Sequence, residues 1–218
     1  NVTLTVSDGM AMSQCTTSVT VIDVTPPVVT CAEFSQTFSG EDQCADFIFA
    51  NSPTGTFSTI GDLTMFSAVA GGDRIITADL SGCVSDNCAA EGFQAAFVDS
   101  YEENRVLGCS VDIINVVVIR DAAGNEAEDS IFFRHTIMYD GPAPEITCPA
   151  DTLIDCGAFP DVALDEIMAT SGCGTPMLTV TDTVIVGEPN VAGTTYTFTY
   201  TATDGCGQTS MCDRVFTV

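Results

Sequence analysis

The sequence contains no lysine and no tryptophan, and it has one histidine, His135. Five arginines stand against thirty Asp and Glu residues, which gives a formal net charge of −25. Binding to nucleic acid requires Lys and Arg to meet the phosphates, and anionic membranes attract the same basic groups. The sequence therefore predicts no nucleic-acid partner and no attraction to an anionic membrane. The missing lysine also removes the amine that an isopeptide cross-link needs.

Motifs of the common enzyme classes are missing as well. The sequence has no Gly-x-Ser-x-Gly elbow, no phosphate-binding loop and no His-Glu-x-x-His. His135 lies in a predicted strand, and nothing among the thirty acids singles out a catalytic pair. No run of eighteen apolar residues is present, so we expect no direct membrane insertion. The sequence predicts a protein that is not an enzyme.

What the sequence does contain is a repeat. Each copy has the same order of features: a strand, an Asp, a short loop, a second strand, a second Asp, a Pro, a third strand and a Cys. This order occurs nearly three times, over residues 2–31, 116–148 and 195–218. Tandem repetition of a strand-rich unit is typical of an array of domains. Arrays of this kind more often hold, span or bind than catalyse.

Alternating apolar residues predict the fold class. Positions such as Val2, Leu4 and Val6 alternate with polar residues, as strands with one buried face do. Helix signals are few, with a turn or two expected over 162–168. We predict an all-β protein of tandem immunoglobulin-like antiparallel β-sandwich domains. The predicted domains are a hairpin over 1–25, an immunoglobulin-like unit over 26–140 and a cysteine-rich unit over 141–218.

The hairpin requires a partner because two strands alone are marginal in water. Its predicted strands are Val2–Ser7 and Val19–Ile22, equivalent to the last two strands of a domain. Either the front of its own domain lies upstream, or the hairpin is swapped onto a neighbouring subunit by strand donation. We favour the first alternative, because Val218 also ends in mid-pattern. The linkers 23–27 and 140–144 are short and Pro-stiffened, so we expect fixed angles between domains.

Eleven cysteines indicate the compartment. None falls in a Cys-x-x-Cys pair, and a single histidine cannot complete a Cys/His zinc set. Disulfides in an oxidising space explain the cysteines better than metal thiolates do. The number is odd, so at least one thiol lacks a partner within the chain.

In the third unit, Cys148 lies on the first strand and Cys212 on the last, so we expect these two to pair. The bond would close a long loop and stabilise the unit by roughly 4 kcal/mol in the chain-entropy model. Cys206 is then expected to pair with either Cys173 or Cys156, which leaves one of them over.

For the other units, Cys83 and Cys88 are close enough to close a small loop. Three further cysteines compete for one bond: Cys31, Cys44 and Cys109. Cys15 occupies the place of Cys212 in the incomplete first repeat. Its partner is therefore expected upstream or in another subunit, as an intermolecular disulfide.

The acidic residues of the joints predict a cation site. An Asp stands in the loop between the last two strands of each repeat, and another stands at the domain exit. The candidate metal ligands are these acids together with one amide, Asn125, at the end of the loop 121–125. The full set is Asp8, Asp121, Asp204, Asp23, Asp140 and Asn125. Short carboxylates on tight turns suit a hard cation such as Ca²⁺. The alternative is that each Asp only caps its own turn.

Candidate glycosylation sites are few. Asn1-Val2-Thr3 fits the N-glycosylation sequon. Three short motifs, in which Asp precedes a hydroxyl residue and an apolar one, resemble the O-glycosylation signal of Bacteroidota. Their hydroxyl residues are Ser130, Thr152 and Thr183.

Two stretches carry a resemblance to known families. Cys148-Pro149-Ala150-Asp151, together with 200–207 and Cys212, resembles the hyalin-type repeat and its cysteine-rich relatives in secreted Bacteroidota surface proteins. The stretches 76–81 and 120–125 look like a bacterial immunoglobulin-like repeat. The resemblance covers nearly all of the chain. It departs in the third unit, which has five cysteines where relatives often have six, and which has Gln208 where they tend to have Asn.

The resemblance implies an extracellular array in an adhesin, a surface filament or an appended enzyme tail. We therefore expect a structural or adhesive protein of the cell surface, part of a fibre or filament, whose partners are neighbouring domains or identical subunits. The alternative is a carbohydrate-binding accessory module of a secreted enzyme, with a glycan ligand. That role usually needs an aromatic platform, and the four tyrosines mostly follow strand patterns typical of a core.

Overall fold

The computed structural model describes residues 1–45, 48–69, 73–88 and 92–218, and these residues form an all-β fold. The described residues contain no α-helix; a 3-10 turn spans Leu164–Glu166, inside the stretch where a short helical turn is predicted. The strands build immunoglobulin-like β-sandwich units, which confirms the predicted fold class. We call 1–25 the hairpin, 26–140 the middle unit and 141–218 the third unit. In the described ranges, no helix is long and apolar enough to span a membrane.

The hairpin consists of strands β1 (Val2–Ser7) and β2 (Met12–Thr17). They are antiparallel, and Leu4 lies opposite Cys15. The turn is tight because the Asp8 carboxylate accepts hydrogen bonds from the main-chain N–H groups of Met10 and Ala11, at 2.9 and 2.7 Å. Residues 1–22 are exposed throughout, so this pair of strands buries no core of its own.

The second strand of the hairpin differs from the prediction, which placed it at Val19–Ile22. The turn after Asp8 sets a register in which Thr17 already pairs with Val2, at the start of β1. Val19–Ile22 therefore lie after the last paired residue of the hairpin, Thr17, and form no strand. They run instead as an irregular segment into the linker.

The described residues of the middle unit form nine strands in two layers. Its main sheet has the order β4-β11-β10-β9-β5, and β4 pairs with β11 in parallel, whereas the other pairs are antiparallel. The opposite layer is formed by the pairs β3–β8 and β6–β7. The strands are β3 (Val28–Val29), β4 (Glu33–Gly40), β5 (Ser58–Ile60), β6 (Thr64–Ala68), β7 (Ile75–Asp79), β8 (Val84–Ser85), β9 (Phe93–Val106), β10 (Ser110–Arg120) and β11 (Ile131–Tyr139).

The core of the middle unit lies between these layers. Val117 and Phe133 from the main sheet pack in one buried cluster with Ile76 and Leu80 from the opposite layer. Burial of each such side chain stabilises the fold by about 1.5–3 kcal/mol. The hydrophobic effect therefore holds the two layers together.

A chain of polar groups crosses this core. The Asn115 amide donates to Ser67 Oγ at 3.0 Å and accepts from Ser100 Oγ at 2.6 Å. Ser67 Oγ lies 3.0 Å from Nε2 of His135, which is fully buried. Burial penalises the imidazolium and lowers the pKa of His135 to about 4. At neutral pH this histidine is therefore an uncharged member of the core.

The third unit is smaller. Its four-stranded sheet has the order β13-β17-β16-β15, and β12 pairs with β14 in the other layer. As in the middle unit, the short strand β13 lies parallel to the last strand, β17. The strands are β12 (Glu145–Thr147), β13 (Thr152–Leu153), β14 (Met168–Thr170), β15 (Met177–Val186), β16 (Thr195–Thr203) and β17 (Thr209–Thr217).

Aromatic side chains fill the core of the third unit. Tyr196, Phe198 and Tyr200 of β16 are buried with Phe216 of β17. The rings of Phe198 and Phe216 meet edge to face, with centroids 5.8 Å apart. The alternation along β16 that predicted a strand thus also predicted its buried face.

Four disulfides join eight of the cysteines: Cys31–Cys83, Cys44–Cys173, Cys109–Cys206 and Cys148–Cys212. The pair of Cys148 with Cys212 is the one expected from their places on the first and last strands. Cys15, Cys88 and Cys156 carry free, exposed thiols.

Two expected pairings are wrong, and Cys31, Cys44 and Cys109 do not compete for one bond, since each forms a disulfide of its own. Cys83 bonds to Cys31, not to Cys88, because the Thr30 N–H donates to the Cys83 carbonyl at 2.8 Å and brings Cys31 alongside. Cys88 lies beyond the end of β8 and stays free.

The second wrong pairing concerns Cys206, which bonds neither to Cys173 nor to Cys156. Cys206 and Cys173 are on loops that face the middle unit, so their nearest thiols are Cys109 and Cys44 of that unit. The spacing of cysteines within one unit does not predict these bonds, because both of them join two units.

Candidate metal centre

The chain has two joints that are built alike. The first joint comprises the linker 23–27 and the loops 86–88 and 121–125 of the middle unit. The second joint comprises the linker 140–144 and the loops 171–173 and 204–208 of the third unit. In each joint, the loop between the last two strands of a unit lies against the linker that precedes that unit, as two hydrogen bonds show. Asn125 Nδ2 donates to the Asp23 carbonyl at 3.3 Å, and Gln208 Nε2 donates to the Gly141 carbonyl at 3.0 Å.

Three acids converge at the first joint. Carboxylate oxygens of Asp23, Asp86 and Asp121 all lie within 4.8 Å of one another. Asp23 and Asp121 are predicted ligands, whereas sequence reasoning missed Asp86. A signal for Asp86 existed in its position, because it directly follows the strand that pairs with β3 and hence with the start of the unit.

The Asp121 loop fixes one of these carboxylates rigidly. Asp121 is 3% exposed, and its two oxygens accept from the N–H and from the side-chain amide of Asn125, at 2.8 and 2.7 Å. Burial alone would raise the pKa of Asp121, but the hydrogen bonds from Asn125, Gly124 and Ala123 outweigh it and lower the pKa. Asp121 is therefore a buried carboxylate held in its charged form.

The electric field of the cluster acts on a neighbouring thiol. The pKa of Cys88 is raised, first by the negative charge of Asp23, then by burial and by the charges of Asp86 and Asp121. Like charges this close repel one another, and a divalent cation between them would remove the repulsion. The donor set of this site consists of hard oxygen atoms, which suits Ca²⁺ better than a soft thiophilic metal.

The other predicted ligands do not join a group of three acids in the part of the chain that the structure describes. Asp8 is exposed in the hairpin turn, where it accepts its two main-chain hydrogen bonds. Asp140 is exposed in the second linker, and its N–H donates to the Gly40 carbonyl at 3.2 Å. Asp204 is buried in its loop and accepts from the N–H groups of Cys206 and Gln208.

The second joint is closed by disulfides instead. Cys44–Cys173 and Cys109–Cys206 each link a loop of the third unit to the middle unit. The contact between the backbones is close, since a Cβ at Gly205 would overlap the Leu107 carbonyl oxygen. Only glycine therefore fits at position 205 without a shift of the joint.

The side chain of Tyr139 packs against two glycines of the second joint, Gly141 and Gly172. A Cβ at Gly141 or at Gly172 would overlap the Tyr139 hydroxyl group, so both glycines leave room for the ring. Tyr139 is 3% exposed. The last residue of β11 thus packs into the linker and the loop of the next unit.

The candidate glycosylation sites differ in accessibility. Asn1 and Thr183 are exposed, and Thr183 lies on β15, at the edge of its sheet. Ser130 and Thr152 are half-buried. The Thr152 hydroxyl donates to the Ala150 carbonyl and accepts from Arg214, both at 3.3 Å. Accessibility therefore favours the first two sites.

Comparisons with known proteins found similarity to cadherin and protocadherin structures. No family model and no curated protein matches it. Among solved structures, the protocadherin GammaB4 extracellular domain is 12% identical, with a TM-score of 0.37, over 95% of this chain and 36% of that one. The protocadherin gammaB7 EC3-6 cis-dimer structure is 11% identical, with a TM-score of 0.33, over 99% of this chain and 57% of that one. Drosophila N-cadherin EC1-3 is 12% identical, with a TM-score of 0.24, over 89% of this chain and 67% of that one. At these TM-scores the likeness carries no functional inference, and the chain spans about a third of the first of these structures.

Proposed function

We propose that the chain is an extracellular structural or adhesive repeat protein, part of a cell-surface fibre or filament. The observation that carries this proposal is the pair of disulfides across the second joint, Cys44–Cys173 and Cys109–Cys206. Two covalent links on different loops prevent the middle and third units from hinging about the linker. A chain built in this way transmits force and holds its shape.

The disulfides also support the location. Four bonds persist only in an oxidising space, such as the cell exterior. The bond between Cys44 and Cys173 spans 129 residues, and a loop of this size stabilises a fold by about 5 kcal/mol in the chain-entropy model. A protein that works under load outside the cell benefits from such bonds, since unfolding cannot separate its units.

Calcium is proposed as the stiffening element of the first joint. Asp23, Asp86 and Asp121 would hold the ion, and the Asn125 amide nitrogen, which donates to the Asp23 carbonyl and to the Asp121 carboxylate, would keep the linker beside them. The site fits because Asp121 is a buried carboxylate in its charged form and the other two acids are half-buried beside it. A bound Ca²⁺ would supply the positive charge that these three groups lack and would tie the linker to the middle unit.

Single-molecule force spectroscopy of the full chain tests the structural role. We expect the oxidised chain to extend by much less than a variant that lacks both links across the second joint, with Cys44, Cys173, Cys109 and Cys206 all replaced by Ser. The reason is that a disulfide prevents the residues between its two cysteines from being extended by the applied force. The matched control replaces Cys31 and Cys83 with Ser, which removes a bond within the middle unit only.

Extension of the oxidised chain equal to that of the fourfold variant would overturn the structural role. So would a free hinge between the middle and third units in small-angle scattering of the oxidised chain. The variant without Cys31–Cys83 is the control because it loses a disulfide within one unit. It therefore distinguishes the effect of losing the links between units from the effect of losing any disulfide.

A second candidate function is supported by a cavity in the middle unit. The cavity measures about 310 Å³ and has Phe66 and Phe97 on its walls. Asn51, Ser100 and Asn115 contribute polar groups to its lining. Phe66 is 64% exposed and would offer a sugar ring an aromatic face at the cavity. This combination supports binding of a neutral glycan.

A glycan array probed with the full chain tests the second candidate. Specific binding that Phe66→Ala abolishes, and that Phe49→Ala leaves intact, supports it; Phe49 is an equally exposed ring outside the cavity lining. Absence of binding to every glycan on the array, or binding that survives Phe66→Ala, overturns it.

A further inference from the structure

The exposed thiol of Cys88 occupies a position that is bonded in the next repeat. In the middle unit, Val28 of β3 pairs with Ser85 of β8, and Cys88 follows three residues later. In the third unit, Glu145 of β12 pairs with Thr170 of β14, and Cys173 follows three residues later. The two cysteines are therefore equivalent in sheet register.

Local hydrogen bonding supports the same equivalence. The Cys88 N–H donates to the Asp86 carboxylate at 3.4 Å, and the Cys173 N–H donates to the Ser171 hydroxyl at 3.3 Å. Each loop thus turns over a side chain two residues earlier. Cys173 bonds to Cys44 of the unit that precedes it, so Cys88 faces the side from which a preceding unit would approach.

A free cysteine also occupies the position that corresponds to Cys44, the partner of Cys173. Cys44 lies four residues after the end of β4, which runs parallel to the last strand of its unit. Cys156 lies three residues after the end of β13, which runs parallel to the last strand of the third unit. Cys156 is exposed and unbonded. The chain thus has two free thiols in positions that are bonded at the second joint. Cys88, near the first joint, corresponds to Cys173, and Cys156, on the third unit, corresponds to Cys44.

The surfaces around the two thiols are open. The hairpin residues 1–22 are all exposed, so they do not cover the first joint. Val24 and Val28, in and beside the first linker, are 75% and 55% exposed. Leu153 and Phe159, on either side of Cys156, are 84% and 74% exposed. Exposed apolar side chains therefore lie in and beside the first linker and on both sides of Cys156 in the sequence, as is common at surfaces that bind a partner.

We propose that Cys156 of one copy of this chain forms a disulfide with Cys88 of a second copy, so that copies join head to tail. The bond repeats the Cys44–Cys173 link of the second joint, and the proposal rests on the structural role argued above. Two thiols lose two protons and two electrons as the S–S bond forms. The oxidant is a small disulfide such as oxidised glutathione, which is reduced to two thiols by exchange.

The test uses the full chain in a glutathione redox buffer, followed by a non-reducing gel and mass spectrometry of disulfide-linked peptides. We expect a ladder of dimers, trimers and longer species that a reductant collapses to the monomer. The linked peptides are expected to contain Cys88 and Cys156. Cys88→Ser alone and Cys156→Ser alone should each leave only monomer, whereas Cys15→Ser should leave the ladder intact.

Mixing the two single variants sharpens the test. Cys88→Ser retains the thiol of Cys156, and Cys156→Ser retains that of Cys88, so the mixture should form dimers and nothing longer. A mixture that stays monomeric, a ladder that depends on Cys15, or peptides linked from Cys88 to Cys88 would each overturn the proposal. Circular dichroism of each variant shows whether it is folded, and Cys88→Ala provides a second replacement if Cys88→Ser is not. The force measurement on the monomer is independent of this link, so the structural role can survive failure of the head-to-tail bond.

Discussion

The two joints of this protein use the same loops for different chemistry. At the second joint, cysteines on the loops 171–173 and 204–208 bond to cysteines of the preceding unit. At the first joint, the corresponding loops bring together three carboxylates and leave one thiol free. One joint is closed covalently, and the other has the composition of an ion site.

A few substitutions account for this difference. Asp86 at the first joint corresponds to Ser171 at the second, and Ala123 corresponds to Cys206. The loops around Asp121 and Asp204 share one hydrogen bond, in which the carboxylate accepts from the main-chain N–H four positions later. The second Asp121 oxygen also accepts from the Asn125 side chain, whereas the second Asp204 oxygen is buried without a hydrogen-bond partner among the described residues. The fold thus provides a hydrogen-bonded loop beside each linker, and single residues decide whether the joint gathers three carboxylates or carries two disulfides.

The largest expected effect follows from removing one covalent link of the second joint. Replacing both Cys44 and Cys173 with Ser should lower the free energy of unfolding by about 4–5 kcal/mol, because the bond closes a loop of more than 100 residues. Denaturant unfolding followed by fluorescence or circular dichroism measures the change. Cys88→Ser is the matched control at the first joint and should change the stability little. Equal stability of the two variants would contradict the comparison.

Acid provides a way to weaken the middle unit through its buried histidine. His135 has its pKa lowered to about 4, whereas an unfolded chain binds a proton near pH 6.5. The unfolded state therefore binds more protons between these values, so stability is full above about pH 6.5 and is lost as the pH falls towards 4. The loss should be about 3 kcal/mol, measured by denaturant unfolding across this range.

The control for the acid effect is His135→Gln, which keeps a hydrogen-bonding side chain near Ser67 but cannot titrate in this range. Its stability should be nearly flat between about pH 6.5 and 4.5. If the variant loses as much stability as the native chain, groups other than the buried histidine cause the acid sensitivity.

The periodicity of the sequence predicts most of the fold. Alternation along 195–203 predicts both the strand β16 and its buried face, because one face of the strand meets a core. The strand expected at Val19–Ile22 does not form, because the turn after Asp8 sets a register in which the second strand is Met12–Thr17. Local composition does not contain that information.

The site could be predicted only in part for a similar reason. Asp121 and Asp23 are recognisable because they recur with the repeat, and the structure brings them together. Asp86 joins them through the pairing of two short strands, β3 and β8, which have too few residues for a clear pattern. The bonds of Cys44 and Cys109 depend on how two units approach each other, and no spacing within one unit predicts that.

Calcium should bind at the first joint and not at the second. Isothermal titration of the full chain with CaCl₂ should reveal a site whose affinity falls about tenfold or more in Asp86→Asn, since a tenfold change corresponds to about 1.4 kcal/mol. The native chain should gain about 2.7 kcal/mol of stability at a calcium concentration 100 times the Kd. Asp8→Asn removes an equal charge from the exposed hairpin turn and is the control. Equal loss of affinity in both variants would show that the chain attracts calcium only through its overall charge.

The smallest expected effect concerns the reactivity of the free thiol at the first joint. The charge of Asp23 is the main cause of the raised pKa of Cys88, so Asp23→Asn should increase the thiolate fraction at a given pH. Iodoacetamide alkylation with EDTA present, followed by peptide mass spectrometry, should show Cys88 reacting several-fold faster in the variant. Cys15 in the same sample serves as the internal control, since it lies on β2 of the hairpin, outside the cluster of acids. An unchanged rate at Cys88 would mean that the three carboxylates do not act together on the joint, and it would remove the electrostatic contrast with the disulfide-closed joint.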